Sequence, residues 1–408
     1  MNIQNSNPAR ENPGGGMPRL AQETASLFVV IKVTEACNMG CKYCSAEKDI
    51  TKVPVLKPEV AARIIDALHD LGLGFYSVCF HGGEPLLGFP AVSETVCYAK
   101  DRYPDTEFRF SMQSNLVRMT PEIAQWCAEH GVSVGFSIDG VPEDNDLMRI
   151  FHNGRGTTEA TVRGLKILQA HQPHVGCVAV IGGHNWNQMH RFIPYLNEIG
   201  VTRLALNRMA PVGRALKIGR AAYVTDEEYV QCLTDCYLAM VASAFEFQVK
   251  PITDWARKIV SPGSCSHGCY QCGAGWSHIS VDSTGNVYAC DRFSFDPDWV
   301  SGNLLDTPLL DIMNEQKMHN CRTRIQRISA CSKCAVVDVC GGSCAVTSYY
   351  AKGTIDTPGH ECGNMRRFIP WLRQRLDDHL DERAAFEAMA LGYDPRAVMK
   401  SLHLQPCS

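Results

Sequence analysis

The chain has 408 residues, which is enough for two or three domains. Its 39 Lys and Arg residues against 43 Asp and Glu residues give a net charge of −4, so no basic field favours nucleic acid as a partner. No apolar stretch has the length of a membrane span, and the polar residues 1–26 lack the features of a secretory signal, so we expect a flexible N-terminal segment and a cytoplasmic protein without a membrane partner.

Short apolar runs alternate with helix-periodic segments over residues 27–245, which is the pattern of βα units around a parallel sheet. The first helix is typical, because Pro58 suits a first turn and Val60, Ile64, Leu68 and Leu71 form one apolar stripe. We predict six strands, at residues 27–33, 75–80, 107–112, 132–138, 175–181 and 202–208.

The cysteine run CNMGCKYC follows the first predicted strand directly. Cys37, Cys41 and Cys44 have a CxxxCxxC spacing that matches neither the paired patterns of zinc sites nor the four-cysteine run of bacterial ferredoxins. Three thiolates on a four-iron cubane leave one iron without a protein ligand, and an open metal position is typical of a catalytic site. Twenty cysteines without a secretory signal also indicate metal or redox chemistry rather than a disulfide framework.

This spacing resembles that of the radical S-adenosylmethionine (SAM) superfamily. In that family SAM chelates the open iron, and its reductive cleavage gives a 5′-deoxyadenosyl radical that abstracts a substrate hydrogen. The resemblance implies an α/β fold with a partial (β/α)6 barrel, similar to a TIM barrel, whose chemistry lies at the C-terminal ends of the strands. The cysteine loop after the first strand fits this arrangement.

The second strand leads into HGGEPLL, which contains Gly82, Gly83, Glu84 and Pro85. Paired glycines let a backbone approach a ligand closely, and carbonyls at a strand end can accept from a ligand ammonium. In the family a GGEP motif binds the amino group of the methionine part of SAM. Alone these residues would more often form a turn, but their place one βα unit after the cysteines favours a binding site.

Small polar residues follow the third and fourth strands. The resemblance implies that residues here hold the ribose hydroxyls and carboxylate of SAM, and that an arginine before the GRGTT segment pairs with the carboxylate through its planar fork of donors. Loop capping and a surface arginine are the alternative. The residues concerned are Gln113, Ser114, Asn115, Ser137, Asp139 and Arg149, with Asn207 a weaker candidate.

A second set of cysteines occupies the C-terminal third of the chain. Alternating residues around a Ser-Thr-Gly-Asn turn predict a β-hairpin with Cys272 before it and Cys290 after it. Further along, the run CxxCxxxxxCxxxC contains Cys331, Cys334, Cys340 and Cys344, and Cys362 follows it. Together these cysteines resemble the seven-cysteine SPASM domain of enzymes that mature peptides and proteins. We therefore expect a cysteine-rich SPASM domain of β-hairpin plus helices at 246–365, after the barrel at 27–245. Residues 366–408 should form C-terminal amphipathic helices that pack on the barrel, with their alternating charges on a solvated face.

The SPASM resemblance implies two auxiliary [4Fe-4S] clusters, making three clusters in all. Full ligation suits electron transfer. The first cluster would use Cys272, Cys290, Cys344 and an upstream cysteine, and the second Cys331, Cys334, Cys340 and Cys362. The upstream ligand is Cys265 or Cys269, and we favour Cys265 because family members usually separate this pair by several residues. A closed zinc site at four of the later cysteines is the alternative.

Asp291 directly follows Cys290. Anaerobic sulfatase-maturating enzymes carry an aspartate after the equivalent cysteine, where it is proposed to deprotonate the substrate. A carboxylate beside an anionic cluster should have a raised pKa, which suits a general base. The alternative is a hairpin-end residue bonded to backbone amides.

Two features depart from the family pattern. Ser45 follows Cys44, where many members have an aromatic residue, so adenine must be packed differently. Residues 1–26 are fewer than the ~40 that usually fold alone. A substrate leader would therefore be bound by a separate protein or by the barrel or SPASM surface, or would not be needed.

The sequence thus predicts a radical SAM oxidoreductase that modifies a ribosomally made peptide or protein. Side-chain crosslinking through a cyclophane, ether or thioether ranks first. Formylglycine formation, as in sulfatase maturation, and dehydrogenation of a small molecule are alternatives, and a non-catalytic iron–sulfur or zinc protein ranks last. The expected partners are a precursor peptide or protein and an electron donor such as flavodoxin or ferredoxin.

Overall fold

The computed structural model describes residues 26–45, 54–262 and 272–403. Within these ranges one continuous sheet has ten strands in the order β10-β9-β8-β1-β2-β3-β4-β5-β6-β7. The strands are β1 (Ser26–Thr34), β2 (Phe75–Gly82), β3 (Phe108–Ser114), β4 (Val132–Ser137), β5 (Gly176–Ile181), β6 (Arg203–Arg208), β7 (Gln248–Lys250), β8 (His278–Val281), β9 (Asn286–Tyr288) and β10 (Gly302–Asn303).

Helices connect the parallel strands β1 to β7. In the barrel part they are α1 (Pro58–Asp70), α2 (Phe89–Arg102), α3 (Pro121–Glu129), α4 (Pro142–Met148), α5 (Thr158–Gln169), α6 (Met189–Glu198) and α7 (Asp226–Ala242). The later helices are α8 (Ile252–Val260), α9 (Leu309–Asn314), α10 (Gln316–Arg322), α11 (Arg324–Arg327), α12 (Val337–Cys340), α13 (Ala345–Lys352), α14 (Cys362–Asp378), α15 (Leu380–Ala390) and α16 (Pro395–His403). Six successive βα units confirm the predicted partial barrel, and each predicted strand lies within two residues of its expected bounds.

The two faces of β1 have different roles. Val29 and Ile31 are fully buried in one apolar cluster with Ile64 and Leu68 of α1, so this face packs against the helical layer. Because side chains alternate along a strand, Lys32 lies on the opposite face, toward the barrel interior. The predicted apolar stripe of α1 is therefore the surface that covers the sheet.

The cysteine-rich hairpin is part of the barrel sheet. Strand β8 pairs in parallel with β1, from Phe28 opposite His278 to Ile31 opposite Val281, and β9 pairs antiparallel with β8. The sequence predicted the hairpin but gave no sign of its partner. Backbone hydrogen bonds thus join the first barrel strand to the segment that carries Cys290.

The C-terminal helices pack as predicted against the last barrel helix: α14 contacts α7 and α8, and α15 contacts α8. Their charges are only partly solvated, contrary to the sequence interpretation. Glu382 is 2% exposed, and it accepts hydrogen bonds from Arg375 Nε at 2.8 Å and from the Tyr237 hydroxyl at 2.6 Å. Over the ranges described, we find no helix with the length and apolar character needed to cross a bilayer.

Candidate active site

The three cysteines of the first motif lie in a loop at the C-terminal end of β1. Its backbone is tied to the chain after α4, because Gly40 N donates to Ile150 O at 2.7 Å and Lys42 N donates to Met148 O at 3.0 Å. Cys37, Cys41 and Cys44 all line a cavity of about 280 Å³ inside the barrel mouth. Three thiol groups that could bind a metal therefore face the same cavity.

Gly82 and Gly83 bring the end of β2 against the start of the cysteine loop. Gly82 has a φ of +129°, and a Cβ there would lie 2.1 Å from Thr34 O. A Cβ on Gly83 would lie 2.2 Å from Ala36 O. Any side chain at either position would push the loop away, so the paired glycines are needed for close approach of two backbones as well as of a ligand.

Glu84 joins the end of β2 to the end of β3. Its buried carboxylate accepts from Ser114 Oγ at 2.7 Å, Asn115 N at 2.7 Å and Leu86 N at 3.1 Å. Burial raises the pKa of Glu84, and these hydrogen bonds oppose that rise. The side chain thus holds the site together from within, while Gly82 and Gly83 also line the cavity. Pro85 starts a short 3-10 turn and is buried.

The polar residues predicted on β3 and β4 meet in the cavity. Gln113 Nε2 donates to Ser137 Oγ at 2.9 Å, and Asn115 Nδ2 donates to Asn38 Oδ1 at 2.8 Å beside the cysteines. Asn207, at the end of β6, also lines the space. The structure therefore brings the residues assigned to SAM binding together with the cysteine loop.

Asp139 and Arg149 are linked through Tyr43. Arg149 Nη1 donates to the Tyr43 hydroxyl at 2.8 Å, and that hydroxyl donates to Asp139 Oδ2. Asp139 Oδ1 accepts from Val180 N at 2.9 Å, so the carboxylate is fully buried behind Tyr43. Burial and the Asp139 charge raise the pKa of Tyr43 well above its ordinary value.

Sequence reasoning missed Tyr43, although it stands inside the CKYC motif. Tyr43 lines the cavity one residue before Cys44 and supplies the aromatic surface that the serine at position 45 lacks. Ser45 is half-buried and also lines the cavity, while the chain after β6 packs on its backbone: a Cβ on Gly213 would lie 2.1 Å from Ser45 O, and Arg214 N donates to Cys44 O at 2.9 Å. The segment after β6 therefore closes over the end of the cysteine loop.

Residues after β9 form the opposite wall of the same cavity. Asp291, Arg292 and Phe295 line it together with the cysteines of the first motif. Asp291 Oδ1 lies 3.4 Å from His278 Nε2 and accepts from the Cys290 thiol at 3.2 Å.

His278 changes the electrostatics expected for Asp291. Burial raises the pKa of Asp291, but the hydrogen bond and charge of His278, with His81 and Arg292, outweigh burial and hold the pKa below its usual range. The direction is opposite to that expected from an anionic cluster alone. The protein side chains thus keep Asp291 ionised and lower its proton affinity.

Lys32 is a second residue that sequence reasoning missed. It is the one charged residue in the apolar strand run LFVVIKV, and in the structure it is 1% exposed and lines the cavity. Its Nζ lies 3.2 Å from the ring centroid of Phe295 and has no hydrogen-bond partner among the described residues. Burial lowers the pKa of Lys32 to about 8, against the opposing charges of Glu35 and Asp291.

The described cysteines of the two predicted auxiliary ligand sets lie in two groups, and their roles as ligands stay predictions. Charge interactions link Cys290 to Cys272 and Cys344. The second group lines one cavity of about 70 Å³ and consists of Cys331, Cys334, Cys340 and Cys362. Cys265 and Cys269 lie outside the described residues, so the choice between them stays a prediction.

The donor chemistry of all three cysteine groups fits iron–sulfur clusters. Burial raises the pKa of Cys37 to about 12 and that of Cys340 to about 11, so neither thiol ionises readily alone. A cationic metal centre favours the thiolate and reverses this effect. The group at Cys37, Cys41 and Cys44 supplies three thiols, which matches a cluster with one open iron.

Comparisons with known proteins agree with this geometry. A sequence profile of the radical SAM superfamily matches residues 31–196, and a profile of the SPASM iron-sulfur cluster-binding domain matches residues 272–335.

Three curated relatives show how far the similarity extends. The protein MJ0907 of Methanocaldococcus jannaschii is 32% identical over 183 residues, which are 45% of this chain and 63% of that protein. Mycofactocin maturase MftC of Mycobacterium tuberculosis is 27% identical over 360 residues, covering 85% of this chain and 86% of its own. A serine-type anaerobic sulfatase-maturating enzyme of Bacteroides thetaiotaomicron is 25% identical over 353 residues, which cover 78% of this chain and 82% of that enzyme.

Two solved structures share the fold. The enzyme anSMEcpe with bound AdoMet superposes with a TM-score of 0.76 at 20% identity, covering 86% of this chain and 98% of that chain. Streptococcus suis SuiB bound to precursor peptide SuiA gives a TM-score of 0.62 at 15% identity, and the match covers 83% of this chain and 76% of SuiB.

Proposed function

Because this chain carries a radical SAM domain followed by a SPASM iron–sulfur domain, we propose that it is an oxidoreductase that crosslinks side chains of a ribosomally made peptide or protein. The bond would be a cyclophane, an ether or a thioether. The proposal includes three [4Fe-4S] clusters, one at Cys37, Cys41 and Cys44 and two auxiliary clusters in the SPASM domain.

One observation carries the proposal. The cysteines of the first motif and Asp291 of the SPASM domain line a single cavity. A substrate in this space would meet the SAM site on one side and a carboxylate next to an auxiliary ligand on the other. Hydrogen abstraction and proton removal can then act on the same substrate group.

The chain's own residues bind and orient the reactants. SAM bound at the open iron would supply the radical that removes a hydrogen atom. We assign its methionine part to the backbone of Gly82 and Gly83 and to Arg149, and its ribose to the polar groups of Gln113 and Asn115. Tyr43 fixes Arg149 through their 2.8 Å hydrogen bond, so the guanidinium keeps its place between turnovers.

Asp291 is the proposed base. For a crosslink, the substrate would lose one hydrogen atom to the SAM-derived radical, one proton to Asp291 and one electron, which an auxiliary cluster would accept, while one bond would form between two side-chain atoms. His278 holds Asp291 in the ionised form, which is the form that accepts a proton, and also gives it a lower proton affinity than an unpaired carboxylate has. The electron would leave through the cluster next to Cys290 and reach a flavodoxin or ferredoxin.

A peptide substrate is favoured over a small molecule. All seven SPASM cysteines are present in the sequence, and relatives named for an activity include a maturase of mycofactocin and enzymes that mature sulfatases. The fold is also that of SuiB, whose structure contains a precursor peptide. Formylglycine formation is the second candidate, because it would use Asp291 in the same way and the sulfatase-maturating relative spans 78% of the chain.

The deciding experiment is 5′-deoxyadenosine formation by the anaerobically reconstituted protein with SAM and a strong reductant. We expect formation by the wild type and none by the Cys37→Ala/Cys41→Ala/Cys44→Ala variant. A peptide encoded beside the gene should then accelerate the reaction and lose two hydrogen atoms, seen as a decrease of about 2 Da by mass spectrometry. A protein with little iron and two or fewer zinc ions would contradict the enzyme proposal.

A further inference from the structure

Arg324, at the start of α11, is a buried cation in the SPASM domain. It is 3% exposed, and its guanidinium donates to five acceptors, all of them neutral. These acceptors are Ile355 O, Gly342 O at 2.9 Å, Ser343 O at 2.9 Å, Ser348 Oγ at 2.6 Å and Thr357 O at 2.6 Å.

Within the part of the chain that the structure describes, no carboxylate forms an ion pair with Arg324. Among the ion pairs formed within the described ranges, none includes this residue, whereas its neighbour Arg327 pairs with Asp356 at 2.8 Å and is about one third exposed. A buried charge without a counter-charge is costly even when it is fully hydrogen-bonded. A negatively charged group other than a carboxylate of the described residues is therefore expected close to Arg324.

The negative charges that act most strongly on Arg324 are those of cysteine sulfurs. Burial lowers the pKa of Arg324, and the charges that oppose this effect are those of Cys272, Cys344, Cys331 and Cys321. Cys272 and Cys344 belong to the first auxiliary ligand set, and Cys331 belongs to the second. Negative charge on the cysteines of either ligand set would therefore stabilise the charge of Arg324.

The loop that joins the two ligand sets depends on the same guanidinium. Residues 341–343 connect Cys340 of the second set to Cys344 of the first, and all three are left-handed, with φ of +63° at Gly341, +87° at Gly342 and +63° at Ser343. This conformation turns two successive carbonyls toward Arg324 Nη1. For a serine it is strained by about 1 kcal/mol, so it needs support from the surrounding structure.

We propose that Arg324 is a positioning residue for both auxiliary clusters: its charge raises their reduction potentials, and its fork of donors fixes the loop between them. The inference rests on the proposed function only in that both cysteine sets hold four-iron clusters. A cluster with four thiolates is anionic and gains a further negative charge on reduction, so a fixed cation nearby favours the reduced form.

The test is a potentiometric titration of the anaerobically reconstituted full-length protein, followed by electron paramagnetic resonance. Arg324→Gln removes the charge, Arg324→Lys keeps it, and Arg327→Gln is the control, because that charge is paired and partly exposed. Repeating the titration in the triple-alanine variant of the first motif removes the SAM cluster and isolates the auxiliary signals.

We expect Arg324→Gln to hold as much iron as the wild type. At a fixed potential its ratio of reduced to oxidised auxiliary cluster should be at least tenfold lower, which corresponds to a shift of about 59 mV for one electron. Arg327→Gln should stay within threefold of the wild type. Unchanged auxiliary potentials in an iron-replete Arg324→Gln protein would overturn the inference and leave Arg324 a structural residue only.

If the glutamine variant fails to hold iron, Arg324→Lys decides. A ratio of reduced to oxidised cluster that stays within threefold of the wild type in the lysine variant supports the charge argument. A larger change in that ratio overturns it. The two proposals fail separately. Unchanged auxiliary potentials in an iron-replete Arg324→Gln protein, beside a wild type that forms 5′-deoxyadenosine and crosslinked peptide, would refute the inference alone, whereas full iron and the expected shift without any 5′-deoxyadenosine, with or without peptide, would refute only the proposed function.

Discussion

Replacing Lys32 with methionine should make the protein more stable at neutral pH. The lysine is almost fully buried in β1, and burial lowers its pKa from 10.5 to about 8. This fall corresponds to about 3 kcal/mol lost by keeping the ammonium charged in the folded state. The contact with the Phe295 ring offsets up to about 2 kcal/mol. Methionine fills a similar volume without a charge, so we expect a net gain of about 1 to 3 kcal/mol.

The gain should depend on pH. Because the folded pKa lies below the unfolded one, the unfolded chain binds more protons between pH 8 and 10.5, and the stability of the wild type rises over this range. The advantage of Lys32→Met is therefore largest below pH 8 and shrinks as the pH approaches 10.5. Substrate turnover should fall nonetheless, because the side chain lines the cavity.

Anaerobic urea unfolding, followed by far-ultraviolet circular dichroism at pH 7 and pH 9.5, measures both effects. Lys258→Met is the matched control: its Nζ donates to Val339 O at 3.0 Å, so its loss removes a hydrogen bond and should not stabilise. A Lys32→Met protein less stable than the wild type at pH 7, or an equal difference at both pH values, would refute the reasoning.

Three further changes test the site. Glu84→Gln replaces one carboxylate oxygen with an NH2 group, which cannot accept the hydrogen bonds that Glu84 receives from Ser114 Oγ and Asn115 N. It should lower the free energy of unfolding, measured with urea, by about 2 to 4 kcal/mol. A loss below about 0.5 kcal/mol would contradict the assigned role. Gly83→Ala places a methyl group 2.2 Å from Ala36 O and should cost about four irons per chain by metal analysis, whereas Gly176→Ala, with no atom within 4 Å, should keep them. Asp291→Asn should still cleave SAM but form product about 100-fold or more slowly, and a normal product rate measured by mass spectrometry would rule out the proposed base.

The parts of the fold that depend on local patterns could be predicted. The six barrel strands are short apolar runs bounded by turns, and CxxxCxxC and GGEP each occupy a few adjacent residues. Their meeting in space follows from parallel strands whose C-terminal ends share one edge of the sheet. The residues on β3 and β4 were found for the same reason.

Contacts between distant segments could not be predicted. Alternation shows that Lys32 opposes its neighbours on β1, but not that this face borders a cavity. Nothing in the segment around His278 marks β1 as its partner, because four residues of strand can pair with many edges. The low pKa of Asp291 depends instead on the β8–β9 hairpin, where Ser280 lies opposite Tyr288 and His278 comes within 3.4 Å of Asp291; the sequence argument considered only the neighbouring cluster.

The pairing of β8 with β1 also concerns solubility. A barrel strand without a neighbour exposes a row of free N–H and C=O groups, and such an edge recruits strands from other molecules. Here β8 covers that edge from Phe28 to Ile31, and its own free side is covered by β9. A protein truncated to the barrel alone would reopen the edge along β1, which carries Leu27, Val29, Val30 and Ile31, and should aggregate. The cysteine-rich hairpin thus protects the barrel from self-association, independently of any metal it binds.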